Sequence, residues 1–348
     1  MRKSALIGLG VVAGVCGGAA GQVYQASWVQ PLLDRWVYPF ASTPGSETTA
    51  PVYAALYQTG FDDRDAQFLI GFATSEQVPA GVGELRYRVR SARLRLVVSN
   101  DLRFAYDPTF DSVATVYPED DPEYIEDEDE GKPVELFAVG YRNGQSAATF
   151  EENTPFSIVP PFPPQEGVRS AFAAIVDEDG VAKDISLQAR QRFEAVPMAI
   201  GVNNTLTPGQ LVPAGTELVF DVDVNNAATQ YYFSRSLNQG KLMLMVSSLH
   251  PAAGGPGGGT GVVYPAFYTK ENPLSPVLGY SPSLELEVEV YPYVDFDLDG
   301  DVGTDADIEA FFRSLAGQGG NPDFNMDGDY GTDADIEAFF CALAGGSC

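Results

Sequence analysis

The 348-residue sequence predicts a mainly β protein. An antiparallel β-sandwich or jelly roll is expected over residues 22–290, followed by a small α-helical domain of two loop-and-helix repeats over residues 291–348. Three observations predict it. Apolar and polar residues alternate with period two in several short runs before residue 290. Loops rich in Gly and Pro separate those runs. An acidic phrase, DFDLDGDVGTDADIEAFF from Asp295, returns 28 residues later from Asp323 with 15 of its 18 positions identical.

The first 21 residues read as an address label. Arg2 and Lys3 make a basic start, and the run from Ala5 to Val15 is apolar but short for a bilayer. Ala19 and Gly21 stand at −3 and −1 of a cut before Gln22, the pattern of a secretory signal peptide. Secretion or display at the cell surface is therefore expected. No second apolar stretch reaches membrane length, so membrane insertion of the mature chain is not expected. A formal charge of −28 argues against nucleic acid, whose phosphates need a basic surface. Hydrophobic content of 45%, with 17 Tyr and 21 Phe, is enough for a real core and excludes a disordered acidic chain. Cleavage would leave Cys341 and Cys348, which in an oxidising compartment are expected to close a disulfide around the end of the last helix.

Strands are expected at Gln67–Ala73, Leu85–Val98, Glu135–Gly140, Ser170–Val176, Glu217–Val224, Lys241–Leu249 and Leu284–Val290. The last is the plainest, with Leu284, Leu286, Val288 and Val290 alternating with Glu285, Glu287 and Glu289, as in a half-buried antiparallel strand. It reads as a closing strand that needs earlier partners, which favours one domain over two. Helical periodicity is scarce before residue 300, apart from a short turn expected within Trp28–Trp36. Between strands lie an acidic excursion (Pro118–Pro133), a Pro-rich bend (Val159–Gly167) and a Gly-rich loop (Pro251–Gly261). The acids from Glu119 to Glu130 read as a solvated loop, with a weak calcium patch as the alternative.

The doubled phrase carries the most specific chemistry. Calcium takes six to eight oxygens, and EF-hand-type loops supply them at alternate positions. Asp295, Asp297 and Asp299 fall at positions 1, 3 and 5, with Gly300 at the sharp turn and the Asp301 carbonyl at position 7. Asp323, Asn325, Asp327 and Asp329 repeat the scheme around Gly328, so two Ca2+ sites are expected. Position 12 is Ala306 or Ala334, and the neighbouring acids are Asp305 or Asp307 and Asp333 or Asp335. A loop one residue longer, closed by Asp307 and Asp335, is the expected repair. The same TDAD stretch also suits a capping box, with Thr304 or Thr332 as N-cap. Capping explains Asp307 and Asp335 but neither Asp295, Asp297 and Asp299 nor their duplication. Each loop leads into a helix with apolar residues at Ile308, Phe311, Phe312 and Leu315, and at Ile336, Phe339, Phe340 and Leu343.

A calcium loop with an exit helix and no entering helix, given twice, resembles the type I dockerin repeat. Residues 295–348 look like a variant that ends in a Cys after small residues, CALAGGSC. The resemblance implies two calcium loops that order two antiparallel helices. One helix surface would bind a cohesin-like or other extracellular protein receptor. Arg64–Phe72, Val78–Tyr87 and Val89–Val98 are more weakly similar to the opening of DNRLRE-type β-sandwich modules, which include carbohydrate-associated members.

No catalytic constellation stands out. His250 is the only His in the chain and reads as structural or exposed, and Ser247 and Ser248 lack an elbow-type turn. Trp28, Trp36 and the tyrosines can stack on sugars, although packing is the ordinary role for each. Three classes follow. The first is a non-catalytic extracellular module that binds polysaccharide or builds a surface assembly. The others are a polysaccharide-degrading enzyme with the same tail, and a purely structural envelope protein.

Overall fold

The computed structural model describes residues 22–177, 180–255, 259–291, 294–320, 322–324 and 329–344. The expected signal peptide, Asn325, Asp327 and Cys348 lie outside the described residues. The chain divides into two compact units, Val23–Glu289 and a second that includes Val290–Cys348.

The larger unit is built from antiparallel strands. In chain order they are β1 (Gln22–Trp28), β2 (Leu33–Val37), β3 (Thr49–Pro51), β4 (Gln67–Phe72), β5 (Tyr87–Val97), β6 (Val134–Tyr141) and β7 (Ala171–Val176). They continue as β8 (Ala182–Asp184), β9 (Ala199–Ile200), β10 (Glu217–Asp221), β11 (Leu242–Ser248), β12 (Ala266–Tyr268) and β13 (Ser283–Val290). Helices are few among the described residues: α1 (Gln188–Gln191), α2 (Ala227–Asn238) and α3 (Ser275–Leu278) here, with α4 (Asp305–Leu315) and α5 (Asp333–Leu343) in the second unit.

One sheet has the order β1-β13-β5-β10 and a wet face. Leu94, Leu96, Leu218, Phe220, Leu284, Leu286 and Val288 are buried, while Arg93, Arg95, Glu217, Asp221, Glu285 and Glu287 beside them carry charge. Those charges pair across strands: Arg93 with Asp221 at 2.6 Å, and Arg95 with Glu217 and Glu285 at 3.6 Å each. Arg90 reaches Glu289 at 2.9 Å and Glu287 at 3.8 Å. Alternation in β5 changes phase at the consecutive exposed pair Arg90–Ser91.

A second sheet runs β2-β4-β11-β6-β7-β8, with β9 also paired to β6. Its central strands β4 and β11 are buried at every residue, so their near-continuous apolar runs face cover on both sides. Leu69, Phe137, Val139, Met243 and Met245 join one cluster with Leu33, Phe150 and Ile185. The alternate residues Phe68, Ile70, Leu136, Leu244 and Val246 are buried as well. Gly71 is needed there, because a Cβ would stand 2.5 Å from Met243 Sδ. A third, small sheet pairs β12 with β3.

Two local readings are corrected. Trp28–Trp36 holds no helical turn: β1 ends at Trp28, the chain bends, and β2 begins at Leu33, with Pro31 in the bend. The helix α2 was missed. Its N-cap Asn226 accepts from Thr229 N at 3.1 Å, Gly240 follows its end with φ +74°, and Phe233 and Leu237 bury one face. Ser, Thr and Gln diluted the apolar stripe, because Ser234 Oγ instead bonds Tyr87 O and Gln230 bridges Val89 to Val224.

The second unit packs two repeats reciprocally. Phe311 of α4 and Phe339 of α5 stack with centroids 4.1 Å apart, and Phe324 closes a buried cluster around them. Phe296 meets Phe311 at 5.2 Å and Phe324 meets Phe339 at 5.2 Å, so each loop aromatic covers the helix of its own repeat. Gly303 lies against Leu343 and Gly331 against Leu315, so each loop also rests on the end of the other helix. Both glycines have positive φ, +69° and +67°.

Candidate metal centre

The first loop of the second unit gathers acid in a small space. One carboxylate oxygen each from Asp295, Asp297 and Asp299 lies within 4.8 Å of the others. Short local hydrogen bonds curl the backbone to do this. Asp297 Oδ1 accepts from Asp299 N at 3.2 Å, and Asp299 Oδ1 accepts from Asp301 N at 2.8 Å. Gly300, at φ +93°, donates to Asp295 Oδ2 at 3.2 Å, and Leu298 also takes a left-handed φ of +60°. Asp295 is buried and its Oδ1 has no hydrogen-bond partner.

Burial and then the charges of Asp307, Asp297 and Asp299 push the Asp295 carboxyl above its ordinary range. Burial followed by Asp299 and Asp307 does the same to Asp297. Anions brought this close repel one another unless a cation joins them. An all-oxygen set with a buried, unsatisfied carboxylate oxygen suits a hard divalent ion such as calcium.

Asp307 sits fully buried at the head of α4 and closes the loop. Its Oδ1 accepts from Phe296 N at 2.6 Å and Asp297 N at 3.3 Å, and its Oδ2 from Thr304 N at 2.8 Å and Thr304 Oγ1 at 3.1 Å. Thr304 is the N-cap, and the capping box is complete. The second repeat copies this. Asp335 Oδ1 accepts from Phe324 N at 2.7 Å, and Oδ2 accepts from Thr332 N and Oγ1 at 2.7 and 2.9 Å. Asp301, Asp305, Asp329 and Asp333 are exposed, and Asp323 is half-buried. Cys341 lies on α5.

In the larger unit, His250 is buried. Nδ1 lies 2.6 Å from Ser248 Oγ, and Nε2 is buried without a hydrogen-bond partner. Burial and then Lys132 hold its pKa down to about 3. A neutral, buried imidazole packed edge-on to Phe104 is a structural residue. Trp28 is likewise core, with Nε1 donating to Ala73 O at 3.1 Å.

Two features were missed in the sequence. Asp62, Asp63, Arg64 and Asp65, which look like an exposed turn, are all buried. Arg169 meets Asp62 at 2.6 Å, Arg190 meets Asp63 at 2.8 Å, and Arg64 meets Glu135 at 2.5 Å. Their partners lie 71 or more residues away, beyond the reach of local pattern. The other is an aromatic row in which Trp36 stacks on Tyr38 at 4.5 Å, Tyr53 meets Tyr264 at 4.6 Å, and Phe40 meets Phe162 at 4.9 Å. Phe40 and Phe162 border a groove of about 570 Å³. Tyr38, Tyr53, Tyr264 and Asp65 border a smaller polar pocket of about 210 Å³.

Compared with family models and with curated proteins, the sequence matches none. Among the described residues no helix is long and apolar enough to cross a membrane.

Proposed function

We propose that the chain is a secreted, non-catalytic extracellular protein whose C-terminal unit is a calcium-dependent docking module of the dockerin type. Its two loops would each take one Ca2+ and would present the paired helices to a cohesin-like or other extracellular receptor. The observation that carries this reading is the first loop, where three carboxylates converge around a buried Asp295 oxygen that has no partner. The receptor face is best supported at Phe312 and Phe340, 45% and 43% exposed and 6.2 Å apart, equivalent residues of the two repeats.

The larger unit is read as a sandwich formed by the four-stranded and larger sheets, with α2 touching a strand of each. Its role on this reading is to hold a polysaccharide or another surface component. The aromatic row supports that, because rings such as Phe40 and Phe162 offer flat faces on which sugar rings stack. A second reading, hydrolysis of the same polymer, draws on Asp65. Burial raises the pKa of its carboxyl to about 7, near the range in which a general acid works.

The test uses the full mature chain as bait for envelope and culture-supernatant fractions, in calcium and in chelator. Alongside run the variants Asp295→Ala with Asp323→Ala, and Phe312→Asp with Phe340→Asp. Capture only in calcium, lost in both variants while the larger unit stays folded, is the expected result. Equal capture in chelator would sink the reading. Release of reducing ends from bound glycans would favour hydrolysis over simple binding.

A further inference from the structure

Among the described residues, four buried carboxylate oxygens have no hydrogen-bond partner: Asp107 Oδ2, Asp129 Oδ1, Glu271 Oε2 and Asp295 Oδ1. All four sit on residues of three acid groups, in each of which one carboxylate oxygen per residue lies within 4.8 Å of the others. Asp295 is in the loop already described. Glu271 groups with Asp34 and Glu152, and that group has its own cation. Lys270 Nζ reaches Asp34 at 3.1 Å and Glu271 at 2.5 Å, and it also contacts Glu152. The remaining group is Asp107, Asp111 and Asp129, and it holds two of the four unpartnered oxygens.

The chain around this group is shaped to bring acids together. Asp107, only 3% exposed, uses Oδ1 to accept from Thr109 N at 2.8 Å and Thr109 Oγ1 at 2.6 Å, which leaves Oδ2 to the cluster. Thr109 Oγ1 also lies 3.0 Å from Asp129 Oδ2, tying the two carboxylates together. Gly131, at φ +115°, lets the acidic excursion return this closely. A Cβ there would meet Ala105 O at 2.9 Å and Asp107 Cβ at 3.1 Å. Lys132 Nζ serves other oxygens: Asp111 Oδ2 at 3.1 Å, Thr115 Oγ1 at 3.2 Å, and Asp127. That one ammonium pairs with Asp111 and Asp127, which leaves the countercharge of the group incomplete.

We infer that Asp107, Asp111 and Asp129 form a cation site of the larger unit that takes a hard divalent ion, calcium, and that ties the acidic excursion to the body of the unit. The donors at hand are oxygens, which select calcium or magnesium over softer metals, and a loop-borne site suits the looser geometry of calcium. The burial of Asp107 separates this site from an ordinary solvated acidic run, because a carboxylate oxygen without water, donor or cation is costly. The inference uses no residue of the C-terminal unit and stands apart from the docking reading.

Calcium titration of the full mature chain by calorimetry tests it. Three proteins are compared: the unaltered chain, Asp107→Asn with Asp129→Asn, and Asp295→Ala with Asp323→Ala. The Asp107/Asp129 variant is expected to bind one calcium fewer, and the C-terminal variant to keep that equivalent. If the Asp107/Asp129 variant binds the same number with the same affinity as the unaltered chain, the proposal is overturned. Should the double variant fail to fold in chelator, Asp129→Asn alone is read. There the same class of site is expected to weaken by about tenfold or more, and unchanged affinity overturns the proposal equally. Magnesium alone, titrated in parallel, is expected to fill this site less tightly than calcium.

Discussion

At the scale of single residues, Asp307 has two employments that pull on the same atoms. It accepts from three backbone N–H groups and one hydroxyl, and it lies close enough to Asp295 and Asp297 to raise their pKa values. The hydrogen bonds form without an ion, so two variants separate the roles. Asp307→Ala is expected to cost the C-terminal unit about 2–3 kcal/mol in chelator, through the lost cap and the stranded donors, and more than that in calcium. Asp295→Asn removes a charge but leaves an acceptor for Gly300, so its cost should show in calcium and nearly vanish in chelator. Thermal unfolding of the full chain, followed through the transition of the C-terminal unit, reads both. A penalty for Asp295→Asn that is as large in chelator as in calcium would remove it from the list of ligands.

At the scale of elements, the two repeats of the second unit hold each other in place. Phe339 is fully buried and touches Phe311, Phe324 and Phe296, one from its own repeat and two from the other. Phe339→Ala is expected to destabilise the unit by about 3–5 kcal/mol, and denaturant titration would show both helices lost in one transition. Loss of α5 alone would contradict the reciprocal packing. Much of this was legible in advance. Apolar residues at the 3.6 period announced α4 and α5, and the paired Arg and Glu alternation announced β5 and β13. What escaped notice depends on distant partners. The row Asp62–Asp65 reads as a wet turn until Arg169, Arg190 and Glu135 arrive from elsewhere, and α2 hides its buried face behind Ser and Thr. Residues of β2 such as Asp34 and Arg35 look too polar for a buried strand. Lys270 and the carbonyls of Glu152 and Thr154 supply their partners.

At the scale of the whole molecule, a formal charge of −28 sets the response to solvent. Self-repulsion of that size should make stability in chelator rise with salt, as the screening length falls from about 30 Å at 10 mM to about 8 Å at 150 mM. Calcium at equal ionic strength is expected to raise the melting temperature further, since ions held between carboxylates act beyond screening. Calorimetric scans in sodium and in calcium at matched ionic strength check this, and coincident curves would mean screening alone. The strand order β1-β13-β5-β10 has a different consequence, in time rather than in energy. A ribosome makes β1 among the first described residues and β13 among the last of its unit, and β13 is the strand that joins β1 to β5. Until residue 283 has been made, β1 and one edge of β5 have no neighbours to bond. That sheet therefore closes late in folding, with a long loop to bridge first. A chain cut short before that point keeps two open edges on which other chains can pair.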